Sequence, residues 1–369
     1  MNKFFIIAVL LNIFIITSFT KASTADPRSP STNFMSINTE NQIIGNSLPG
    51  TWRPFSDSSL WNTPIAKDAK KHPESDKIMA TLLSEAQNLR LVNTYAPPVW
   101  VINSDYMPKV KVHSTKIIET WDKDHDDWVD DPIPLKKGMW GEPTGDGHII
   151  IIDPFKNLVW EMSHYEGLTS GYLEIVEKGE TPIPLCTTFN IWDLTGSGQG
   201  DPYFHGYHWQ TIGGRGSGFP LIAGLLRPEE LKTGHIRHAL VFSFPKNRVL
   251  PDGSKLFLPP ASRSDGKVQG DQYPIEGMRF QLDPALTKED FVGWGLTKEG
   301  QVLARALQEY GMFLGDNGGM SICPQLLGPS KEENRKKWDE LFPGFYETVM
   351  KIPTRHLSII YTGEPISKK

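Results

Sequence analysis

Three carboxylates, two histidines and one arginine stand out by where they fall in the apolar pattern of this chain. Asp146 and His148 immediately precede the run Ile149 to Ile152, and Glu161 sits inside the run from Leu158 to Ser163. Asp193 ends the apolar stripe of FNIWDL, and His238 lies on the greasier face of HIRHALVFSF. Arg215 is surrounded by Gly213, Gly214, Gly216 and Gly218, where the missing Cβ lets backbone amides and a guanidinium approach a ligand closely. Glycoside hydrolysis needs two carboxyl groups, one protonating the leaving oxygen and the other acting as base or nucleophile, and Asp146, Glu161 and Asp193 are the candidates. Elimination at a uronate needs a base and a cation instead, for which His148 or His238 would serve with Arg215. Trp140, Trp192 and Trp209 offer flat faces for sugar rings. Each residue also has a structural reading: a surface loop for the glycines, a satisfied core histidine for His238, a polar pair at a sheet edge for His148 and Glu161.

Other chemistries are missing. The chain has no zincin helix motif, no Gly-x-Ser-x-Gly elbow and no kinase or nucleotide signature, so no cofactor is expected. The acidic stretch WDKDHDDWVDD alternates Asp122, Asp124 and Asp126, but an EF-hand loop would place Gly and an acid where Asp127 and Ile133 stand. It reads as a solvated loop. His205 and His208 lack a third ligand in view, so no metal is expected.

The elements that must position these groups are mostly strands. Gly147–Asp153 and Asn157–His164 read as a hairpin turning at Pro154–Lys156. With an even-length loop, His148 opposes Ser163 and Ile150 opposes Glu161, which puts His148 and Glu161 on one face as diagonal neighbours. Further strands are expected at 98–102, 110–113, 187–194, 236–244, 278–282 and 356–361, with a second hairpin turning at Asp316-Asn317-Gly318-Gly319. Helices are expected at 73–87 with Ser75 as cap, at 227–231 with Pro228 early, at 298–310 stopped by Gly311, and at 331–341.

Residues 1–25 read as a secretory signal: Lys3, an apolar run of roughly 16 residues and the small residues Ala22, Ser23 and Ala25. A secreted protein, extracellular or periplasmic, with no stable membrane insertion after cleavage is the expectation. Residues 26–50 read as a linker or flexible arm, and 51–369 as one β-rich domain. In an exported protein Cys186 and Cys323 are expected to pair as a disulfide. The net charge of −5 without a basic stripe argues against nucleic acid as a partner, and leaves an oligo- or polysaccharide.

The motifs GDGHIIIID, VWEM, FNIWDL, FPLIAGLLRPEEL, GHIRHAL and ALQEYGMFLGDNGG resemble a family of secreted bacterial proteins of unassigned activity, over about Ser59 to Pro365. The resemblance implies one mainly-β domain with polar motif positions Asp146, His148, Glu161, Asp193 and His238, and it supplies no reaction. The expected architecture is a β-sandwich or jelly-roll-like single domain with a few peripheral helices. The expected function is a secreted carbohydrate-active enzyme, a glycosidase or a polysaccharide lyase, with a non-catalytic glycan-binding or envelope protein as the alternative.

Overall fold

The computed structural model describes residues 43–45, 47–93, 95–110, 112–114, 133–136, 138–144, 146–165, 185–200 and 213–368. Strand outweighs helix, 25% against 20%, and the chain is mainly β. One sheet of five strands runs in the order Ile43–Gly45, Val99–Ile102, Ile149–Asp153, Leu158–Ser163, Thr188–Asp193. A mixed sheet of six runs Leu357–Ile360, Arg279–Leu282, Met312–Asp316, Leu240–Ser243, Ser321–Ile322, Arg90–Leu91. A four-stranded sheet and two short strand pairs complete it.

The side-chain alternation of these strands divides the apolar residues into three layers. Ile149, Ile151, Trp160, Met162 and Ile191 point to one side of the five-stranded sheet and pack with Met107, Ile133 and Met139. Ile150, Ile152, Val159 and Trp192 point to the other, into a core shared with Ala239, Val241 and Phe313 of the six-stranded sheet. That second sheet turns Leu240, Phe242, Phe280 and Leu314 toward Leu82, Leu303, Leu307 and Trp338 of the helices. The strand Leu240–Ser243 is therefore buried on both faces, which explains why apolar residues occupy both of its alternating sets.

The hairpin forms in the expected register: Ile150 pairs with Glu161, and Pro154–Asn157 makes the turn between Asp153 and Leu158. Asn157 accepts the left-handed φ of 55° that closes this turn, a conformation asparagine tolerates better than most residues. The helix Ser75–Glu85 begins without Ser75 as its cap. Ser75 is buried instead, and its Oγ accepts the Ile359 N–H at 3.0 Å, tying the helix to the neighbouring strand. The helix Lys298–Glu309 runs as expected to Gly311, whose φ of +68° ends it.

The second expected hairpin does not form. Met312–Asp316 and Ser321–Ile322 are separated in the sheet by Leu240–Ser243, parallel to the first and antiparallel to the second. The Asp316–Gly319 turn wraps over the end of that inserted strand, with Gly318 N–H donating to Phe244 O at 3.3 Å and Ser243 Oγ donating to Gly319 O at 2.6 Å. Turn chemistry specifies a reversal of direction and leaves open which strands flank it. Part of the stretch read as a linker is also held, since Ile43 pairs with Ile102 and Leu48 is buried.

Cys186 and Cys323 are both buried and form no disulfide. Cys186 belongs to the outer layer of the five-stranded sheet, whereas Cys323 lies in the core on its inner side, so the sheet itself stands between them. Among the described residues no helix is long and apolar enough to cross a membrane. The expected signal segment, the acidic stretch 121–131, His205, His208 and Trp209 lie outside the described residues.

Candidate functional site

A cavity of about 750 Å³ opens where the end of the first hairpin meets the glycine loop and the Asp316–Gly319 turn. Asp146, His148, Ser163, His164, Thr187 and Thr188 line it from the five-stranded sheet. Gly214, Arg215 and Gly216 line it from the loop, and Arg263, Ser264, Asp265, Asp316 and Asn317 from the segments beyond. Tyr95, half exposed, and Cys323 complete the polar part of the wall.

Asp146 is held by a turn built on a buried carboxylate. Glu142 accepts the N–H groups of Thr144 at 2.8 Å, Gly147 at 3.1 Å and Tyr95 at 3.2 Å, and also the Thr144 hydroxyl. Gly147 adopts φ +50°, and a Cβ there would stand 2.9 Å from His164 Cα, a space that no side chain fits. Partial burial, reinforced by the charge of Glu142 and opposed by His164, raises the pKa of Asp146 above the ordinary carboxylate range. His164, which the sequence reading passed over, hydrogen-bonds Thr187 Oγ1 through Nδ1 at 2.7 Å. His148 is driven the other way: burial, then the charges of Arg215 and His164, push its pKa down to about 3, so the imidazole is neutral at physiological pH.

The opposite part of the lining centres on two arginines and two carboxyl groups. Arg215 donates from Nη1 to Asp316 at 3.1 Å and from Nη2 to Leu221 O at 3.2 Å, with Nη2 also 3.5 Å from Cys323 Sγ. Asp316 accepts the Gly216 N–H as well, at 2.7 Å. Gly216 gives Asp265 its room, because a Cβ there would stand 2.6 Å from the Asp265 carboxyl carbon. Asp265 is backed by Asn317 and by the fully buried Glu276, whose Oε2 accepts the Asp265 N–H at 3.2 Å. Burial, then the hydrogen bond and charge of Asp265, push Glu276 well above the usual carboxylate range. Asp265 is the acid of the two that lines the cavity.

The remaining sequence candidates stand elsewhere. Glu161 is wholly buried behind the cavity on the same sheet face as His148, and accepts the N–H groups of Leu221 and Ile222 at 2.8 Å each. It anchors the glycine loop to the sheet. Burial raises its pKa to about 7 despite those two donors and the Arg215 charge. His238 is a core residue, with Nδ1 2.9 Å from Ala239 O and Nε2 2.9 Å from Glu230 Oε1, and Glu230 in turn meets Arg227 at 2.9 Å. Asp193 caps its own turn, its Oδ1 accepting from Thr195 N and Oγ1, both at 2.7 Å. Trp192 is core, and Trp140 packs edge-on against Trp100 at 5.8 Å between ring centroids, so neither faces the cavity. Asp146, His148 and Arg215 are thus brought together, while Glu161, Asp193, His238, Trp140 and Trp192 are not. Asp265 and Arg263 were missed because they sit in an irregular segment, and Asp316 and His164 because they stand at strand ends, although Gly318-Gly319 beside Asp316 marked that turn. Among the described residues no group of three or more His, Cys, Asp or Glu is arranged to hold a metal ion. Comparison with protein-family models, with curated proteins and with solved structures finds no match for this chain.

Proposed function

We propose that this protein is a secreted enzyme that hydrolyses glycosidic bonds in a polysaccharide, on a single domain whose two large sheets stack in a sandwich- or jelly-roll-like manner. The observation that carries the reading is a pair of carboxyl groups from different segments lining one cavity in different electrostatic settings. Asp146 has its pKa raised by burial and Glu142, while Asp265 is hydrogen-bonded by Asn317 and backed by the buried Glu276. Two carboxyl groups with divergent environments are what acid-assisted cleavage needs. Asp146 donates a proton to the leaving oxygen, and the Asp265 carboxylate acts as base or nucleophile. Elimination is disfavoured as the main reaction because His148, with a pKa of about 3, is a weak proton acceptor.

The test is to incubate mature protein with neutral and acidic polysaccharides while following new reducing ends and the ultraviolet absorbance of unsaturated uronates. Reducing ends without absorbance are expected. Asp146→Asn should lower turnover by about 10²–10⁴-fold while glycan binding persists. Absorbance rising with cleavage would replace hydrolysis by elimination, and binding without any cleavage would support a glycan-binding protein instead.

A further inference from the structure

The cavity contains a guanidinium that the protein itself leaves short of partners. Arg263 lines the cavity and is only partly exposed. Its Nη2 donates to Gly213 O at 3.2 Å and Arg215 O at 2.8 Å, which fixes the plane of the group against the glycine loop. Its Nε is buried without a partner, and among the described residues Nη1 makes no hydrogen bond and the side chain makes no ion pair. Arg215 and Arg227 differ in this respect, since each meets a carboxylate, Asp316 and Glu230. The acids near Arg263 are already engaged: Asp316 by Arg215 and the Gly216 N–H, Asp265 by Asn317 and Glu276. Arginine keeps its charge in proteins, and at Arg263 the cost of burial outweighs the attraction of Glu276, Asp316 and Asp265, none of which pairs with it directly.

We propose that Arg263 is the anion-binding residue of the cavity, and that the glycan taken there carries a negatively charged substituent, a carboxylate or a sulfate. This rests on the glycan reading above and names the substrate class within it. Arg215, the cation the sequence pointed to, is committed to Asp316, to the Leu221 carbonyl and to holding the loop. Arg215 also has a buried Nε without a partner, but its guanidinium is paired with Asp316, whereas Arg263 makes no ion pair among the described residues and its plane is already fixed by two carbonyls, so little side-chain freedom is lost when an anion binds. Ser163 Oγ and Thr188 Oγ1, on residues of the same lining, are also buried without partners.

The experiment is calorimetric titration of the wild-type protein with an oligogalacturonate, its carboxyl-reduced neutral counterpart and a sulfated oligosaccharide. Loss of the anion should weaken binding by about ten- to a hundredfold, the worth of one charge-assisted hydrogen bond. The anionic ligand's affinity should fall with added salt, and the neutral ligand's should not. Preference for uronate or for sulfate identifies which anion is read. Arg263→Gln should erase the difference between charged and neutral ligands, and Arg263→Lys should restore part of it. Equal binding of the charged and reduced ligands by the wild type, or full discrimination retained by Arg263→Gln, would overturn the proposal. Efficient hydrolysis of neutral glycans with no charged preference would remove this subsite and leave the hydrolase reading intact. Failure of every glycan to bind would remove both.

Discussion

Replacing Glu161 by Gln tests whether this residue is a structural anchor with a displaced titration. Its carboxyl is fully buried and its pKa rises from 4.5 to about 7 on folding, with burial the largest cause. A raised carboxyl pKa means that, between those two values, the folded state holds a proton that the unfolded state has lost. The stability contributed by this group is therefore complete below pH 4.5 and is lost as pH rises through 7. A shift of that size corresponds to about 3 kcal/mol, at about 1.4 kcal/mol per pH unit. For the roughly 270 described residues, with an unfolding entropy of about 2 cal/mol/K per residue, this amounts to about 5–6 °C in Tm. The glutamine variant cannot ionise, so its stability should lack this component. Denaturant unfolding of both proteins from pH 4 to 8 should show the difference between them moving by about 3 kcal/mol in favour of the variant as pH rises. Parallel pH profiles would refute the reasoning, because they would mean that the Leu221 and Ile222 N–H groups and Arg215 fully offset burial. Turnover should survive the substitution in large part, since Glu161 does not reach the cavity.

Thiol titration under denaturing, non-reducing conditions should count two free cysteines, and a count of zero would contradict the placement of Cys186 and Cys323 on opposite sides of a sheet. Glu230→Ala should destabilise the protein by about 3–5 kcal/mol in denaturant unfolding, because it leaves the buried Arg227 without its carboxylate and His238 without its Nε2 partner. A loss under 1 kcal/mol would show that water replaces the carboxylate. N-terminal sequencing of exported material should begin between about Ser23 and Asp26, and an intact Met1 would refute a cleaved signal.

The legible parts of this chain are those where local pattern and long-range pairing agree. The Ile149–Asp153 and Leu158–Ser163 hairpin was specified by an unbroken apolar run, a Pro-containing turn and its mate, so register and face followed from turn length alone. The Lys298–Glu309 helix likewise announced its apolar face and its glycine stop. Where a strand from elsewhere enters, local signals mislead: Asp316-Asn317-Gly318-Gly319 does reverse the chain, yet Leu240–Ser243 occupies the place its partner strand would have taken. The interpolated strand could be read as apolar on both sides, but its neighbours could not.

The same distinction governs the candidate site. Sequence reasoning finds a polar residue most readily when it interrupts an apolar strand, as Glu161 and His238 do, and such interruptions are usually satisfied within the core. Glu161 is satisfied by two backbone amides and His238 by Glu230 and a carbonyl. Groups that face the cavity belong instead to irregular segments, where no periodicity marks them: Asp146 on a loop organised by Glu142, Arg263 and Asp265 after the Phe257 strand. The buried anchors and the cavity groups are nonetheless one construction. Glu161 holds Leu221 and Ile222, Arg215 returns from the same loop to Asp316, and Arg263 grips the carbonyls of Gly213 and Arg215. The loop is thus clamped from the five-stranded sheet, from the end of the Met312–Asp316 strand and from the Arg263 segment. Weakening the Arg263 clamp should move the cavity wall before it unfolds the core, whereas the Glu161 clamp also seats Leu221 and Ile222, which belong to the core between the two sheets.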